Sequence, residues 1–108
     1  MRSQNTVSSY SADYKIVSAM DKKIRAGVKA YRNGDLETAA MFMRTSLKDN
    51  RSKAEQAKLQ SNLCAIYAAM NNTQRAALAC DKALELAPHY TPARSNAQAL
   101  KITFAKQS

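Results

Sequence analysis

The chain has 108 residues, 45% of them hydrophobic, and a formal net charge of +9. That length sets a single domain with a core of its own, and no apolar run approaches the ~20 residues that a membrane-spanning helix needs. Two glycines and two prolines, among many alanines, lysines, arginines, leucines and glutamines, favour helix and disfavour many short strands. The first nine residues, Met1 to Ser9, have no apolar stretch of the kind a signal peptide carries. The positive charge suits anionic partners, but no basic run occurs, which fits a solvated basic surface first.

In chain order, residues 1–10 are polar and serine-rich and read as a disordered tail. A single helical domain is expected over residues 11–108. From about Ser11, Ile16, Met20, Ile24, Gly27 and Tyr31 recur at helical spacing, with Val17 and Val28 widening the stripe. Asn33-Gly34 ends this first helix. Asp35 caps the second, which buries Leu36, Ala39, Ala40, Met43 and Leu47. Ser52 with Glu55 reads as a capping box opening a third helix with Leu59, Leu63, Ile66, Tyr67 and Met70. Asn71-Asn72 breaks it and Thr73 caps the fourth, which carries Ala76, Cys80, Ala83 and Leu84 and stops before Pro88. Thr91-Pro92 opens a fifth with Ala93, Ala97, Leu100 and Phe104. The expectation is an all-α protein of five helices in antiparallel hairpins.

The second and third breaks divide the chain into two similar units. Leu63-Cys64-x2-Tyr67, Ala76-x3-Cys80, Ala83 and Pro88 in one correspond to Ala26-Gly27-x2-Ala30, Ala39-x3-Met43 and Ser46 in the other. This pattern resembles the tetratricopeptide repeat, a helix hairpin of 34 residues with the signature W-x2-L-G-x2-Y…A-x3-F…P. The repeats span about 21–50 and 57–90, with a capping helix at about 92–105. Gly27 and Cys64 are 37 residues apart, three more than the family period, so the connection around Asn50 to Ser52 is longer. Two repeats fall short of the ~3 that usually stand alone; the fifth helix or a homodimer supplies cover.

The resemblance implies a concave groove lined by the first helix of each pair, holding a partner's peptide or helix. By position it presents Ile24, Val28, Tyr31 and Arg32, then Lys58, Ser61, Asn62 and Ala65. An apolar floor edged by Arg25, Arg32 and Lys58 suits a partner segment with acidic flanks. The alternative is that Ile24 and Val28 are covered by the N-terminal segment or by a second copy. A chaperone-type carboxylate clamp is disfavoured, because Ile24 and Val28 stand where it needs lysine and asparagine. A second candidate is the stripe Lys15, Lys22, Arg25, Lys29 and Arg32, on one side of the expected first helix. It suits nucleic acid or an anionic membrane, or it is simply a solvated face.

Cys64 and Cys80 each lie about eight residues from the Asn71-Asn72 turn, so a hairpin places them opposite one another. They are either a disulfide, needing Cα atoms roughly 4.4–6.8 Å apart, or two small buried thiols. Similar small tetratricopeptide proteins with such a pair look like exported bacterial proteins, which implies a periplasmic location; the alternative is cytoplasmic. Two cysteines and the single His89 do not make a zinc site. No nucleophile–base set or phosphate loop is present. The sequence therefore reads as a non-catalytic binding module with no cofactor.

Overall fold

The computed structural model describes residues 14–107, with side chains described to residue 102. The expected polar tail at 1–10 and the side chain of Phe104 lie outside the described residues. Among the described residues five helices follow in order: α1 (Lys22–Arg32), α2 (Leu36–Leu47), α3 (Lys53–Ala69), α4 (Thr73–Leu86) and α5 (Thr91–Gln107). No strand occurs among the described residues. The protein is all-α, and the architecture is compatible with a helical repeat.

Each boundary has a local cause. Asp21 caps α1 by accepting hydrogen bonds from the Lys23 and Ile24 amides, at 2.8 and 3.2 Å. After α1 the chain reverses at Gly34, whose φ is +83°. There the Gly34 amide donates to Tyr31 and the Asp35 amide to Ala30, which satisfies two terminal carbonyls. The same closure recurs 37 residues on. Asn71 takes φ +62°, and the Asn71 and Asn72 amides donate to Ala68 and Tyr67. Asp35 caps α2 and the Ser52–Glu55 capping box opens α3, as the sequence indicates. Asn72, one residue before the expected Thr73, caps α4. α5 likewise begins at Thr91 itself, the Arg94 amide donating to the Tyr90 carbonyl.

Connections of three to five residues force sequential neighbours into antiparallel hairpins. α1 packs on α2, α2 on α3, α3 on α4, and α5 lies against both α3 and α4. α3 is therefore the central helix, and every residue from Ser61 to Ala68 is buried. Ile24, Met43, Leu59 and Ile66 are sealed from solvent, each burial stabilising by about 2 kcal/mol. Small residues set the close approaches. A Cβ on Gly27 would stand 2.8 Å from Met43 Cε and 3.2 Å from Phe42 Cβ. In the second hairpin Cys64 and Cys80 are joined as a disulfide, with Cα atoms 5.2 Å apart.

Two details correct the sequence reading. The expected stripe is not one continuous helix: residues 15–19 are non-helical, and α1 starts at Lys22. The Asp21 cap sets that start, and the β-branched pair Ile16-Val17 has low helix propensity. Met20, expected in the buried stripe, is 89% exposed. The longer connection after α2 is ordered by Arg51. Its guanidinium reaches Asp21 at 2.9 Å, Asp49 at 3.1 Å and Glu55 at 3.7 Å, while its Nε donates to the Ser46 carbonyl. The three extra residues are thereby pinned to the cap of α1.

Candidate functional site

Residues 14–20 form a strap that leads into α1 and lies along α3 and α5. An extended backbone has no helix to satisfy its amides and carbonyls, so each buried group needs another partner. Two asparagines supply them. The Val17 amide donates to Asn62 Oδ1 at 2.8 Å, and Asn62 Nδ2 donates back to the Val17 carbonyl at 2.8 Å. Two residues earlier, the Lys15 amide donates to Asn96 Oδ1, and Asn96 Nδ2 donates to the Lys15 carbonyl at 2.9 Å. Asn62 and Asn96 are both 0% exposed. Asn96 is held in place by Ser61, whose carbonyl and hydroxyl accept from its Nδ2 at 3.2 and 3.3 Å.

The expected groove residues meet beneath this strap. Ile24 and Val28 of α1 and Ala65 of α3 are buried in one cluster with Tyr14, against which Ile16 and Ala19 pack. Ser61 and Asn62 are buried beside them. Tyr31 is half-buried at the cluster's edge; burial first, and Tyr14 second, raise its phenol pKa above the ordinary tyrosine value. Lys58 is half-buried and Arg32 is exposed. Ile24, Val28 and Ala65 thus share one buried cluster, and the chain's own N-terminal segment packs on it.

The basic stripe is divided. Lys22, Arg25, Lys29 and Arg32 are exposed on α1, whereas Lys15 belongs to the strap, not to the helix. Its four helical cations make no ion pair among the described residues. His89 is exposed in the turn before α5. Among the described residues no group of His, Cys, Asp and Glu could hold a metal ion, and no helix is long and apolar enough to cross a membrane.

A separate hollow of about 550 Å³ opens on the other side of α3, between α2 and α4. Arg44 donates to the Tyr67 hydroxyl there at 3.1 Å, and Arg75 stands 5.7 Å over the Tyr67 ring. Leu78 at its rim is 69% exposed.

Sequence reasoning missed Asn96 and Tyr14. A signal for Asn96 is its position, 34 residues after Asn62. Arg25 stands 37 residues before Asn62. Tyr14 carries no comparable signal. Against known proteins, no family model matches this chain, and no curated protein or solved structure matches it.

Proposed function

We propose that this chain is a non-catalytic protein-interaction module of the tetratricopeptide type, which takes a segment of a partner protein on the face shared by α1, α3 and α5. One observation carries the reading: that face already holds a peptide, by its backbone, through Asn62 and Asn96. Helix hairpins displaced by 37 residues, with matching turns at Gly34 and Asn71, agree with the repeat type. The Cys64–Cys80 disulfide suits an oxidising compartment such as a periplasm. Arg25 and Arg32 flank the face and favour acidic residues beside the partner's bound segment.

The test is capture from native extract on the immobilised chain, followed by direct binding of the purified partner. A protein retained at moderate salt and lost with Asn62→Leu establishes the module. A partner that binds the variant equally well refutes this use of the face. A second reading rests on the exposed Lys22, Arg25, Lys29 and Arg32, which make no ion pair among the described residues: an anion-binding face for nucleic acid or anionic lipid. Binding that falls steeply with salt and is indifferent to Asn62→Leu supports it.

A further inference from the structure

Asn62 and Asn96 read a peptide's backbone and not its side chains. Each amide exchanges two hydrogen bonds with one strap residue, and the two residues are second neighbours. Alternate residues of an extended chain present their N–H and C=O groups along one edge. The two asparagines therefore act as an edge strand does when it accepts another strand, although both stand on helices. Their spacing of 34 residues places one on each of two successive first helices. Both amides are wholly buried with the strap in place, so emptying the clamp exchanges its bonds to the strap backbone for bonds to water.

Side-chain selection falls to the residues between and beside the clamped ones. Tyr14 is buried, and Ile16 and Ala19 pack on the cluster containing Ile24 and Val28. Lys15 and Ser18 are exposed. The pattern the groove accepts is an aromatic residue, a β-branched apolar residue two positions on, and a small apolar residue three further, with polar residues tolerated between.

We propose that the strap is a tethered stand-in for a partner segment of this same chemistry, an extended aromatic-x-Ile/Val stretch, which binds by displacing it from Asn62 and Asn96. The proposal rests on the reading of this face as the module's binding site. The tether sets the terms of exchange. A short flexible linker holds its segment at an effective concentration in the millimolar range. A free peptide with the same contacts and a micromolar intrinsic Kd is then weakened by about a thousandfold. A productive partner makes contacts beyond the strap's, or meets a chain whose strap has been drawn away.

The test uses the full chain and a labelled peptide with the sequence of residues 14–20. Lys15→Pro with Val17→Pro removes both strap amide donors and leaves every groove residue intact. The peptide is expected to bind this variant at least ~10-fold more tightly than the wild type, and to lose that binding when Asn62→Leu and Asn96→Leu are added. Random decapeptides selected on the proline variant are expected to enrich the aromatic-x-Ile/Val pattern. A helical, cooperatively folded variant that does not bind the strap peptide overturns the proposal. Selected peptides of another pattern then still uphold the interaction module, whereas no binder of any kind ends both. If the proline variant does not fold, hydrogen exchange on the wild type decides. Lys15 and Val17 amides that exchange while the helices stay protected support displacement. Exchange only with global unfolding overturns it.

Discussion

Reducing the Cys64–Cys80 disulfide gives the most direct test of how the second hairpin is held. The cross-link spans a sequence separation of 16 and joins α3 to α4. In the chain-entropy account, a loop of that size restricts the unfolded ensemble by about 10 cal/mol/K, or about 3 kcal/mol at 25 °C. The folded state changes little on reduction, because the two helices are already neighbours through a three-residue turn. Such a loss is a large share of the ~5–15 kcal/mol that a domain has in total. For a chain of this length it corresponds to a fall in Tm of about 12–15 °C. The assay is urea unfolding followed by helical circular dichroism, with and without a phosphine reductant, after intact mass and thiol alkylation establish the starting state. The urea slope should rise on reduction as the unfolded chain expands. A Cys64→Ala/Cys80→Ala variant should be indifferent to reductant. Coincident curves for the fully oxidised and fully reduced chain refute the reasoning, as do two readily alkylated thiols in the protein kept under oxidising conditions.

Gly27→Ala should lower stability by about 1–2 kcal/mol in thermal unfolding. The new methyl meets Met43 Cε at 2.8 Å and Phe42 Cβ at 3.2 Å, and that overpacking outweighs the ~1 kcal/mol gained in helix propensity; a neutral or stabilised variant would show that Met43 has room to move. Asn71→Gly should raise stability by about 0.5 kcal/mol, since φ of +62° suits glycine better than asparagine; a loss in the same measurement contradicts the left-handed cap. The pH profile of urea unfolding follows the carboxylates and phenols. Asp21 is held below its ordinary pKa by the Ile24 amide and then by Arg51, and Glu55 is held down by the Ser52 amide. Their contribution is complete above about pH 5 and is lost as pH falls through and below about 4. Burial raises Tyr31 and Tyr90, so stability also falls above about pH 10, where the unfolded chain's tyrosines ionise. A profile flat from pH 7 to pH 3 argues against the Asp21 and Glu55 assignments.

Local chemistry made most of the fold legible. Asp35, the Ser52–Glu55 box and Gly34 act within a turn or two of chain, and each marks the boundary it should. The cysteine pair was readable because a hairpin's register follows from its turn. The first helix was misread because Ile16 and Met20 keep helical spacing with Ile24 although residues 15–19 are not helical. Side-chain periodicity records which faces are apolar; it does not record where the backbone amides find partners. For Lys15 that partner is Asn96, 81 residues away, and no window along the chain contains both. That Ile24 and Val28 belong to one buried face was legible because their spacing is helical within α1. Cover of Ile24 and Val28 by the N-terminal segment was one of the readings the sequence left open; its non-helical form was not foreseen, since nothing local distinguishes a strap from the first turns of a helix.

Stacked helix hairpins ordinarily behave as a one-dimensional array, in which each unit feels only its neighbours and the ends come loose first. The strap breaks that rule. It begins beside α1 and bonds to α3 and α5, so the first unit, the second and the closing helix share one set of contacts. The strap thus ties the first half of α5, through Asn96, to the segment that leads into α1. Such a chain should unfold in one step at every temperature, and α5 should begin to fray on its own only when the strap is out of its seat.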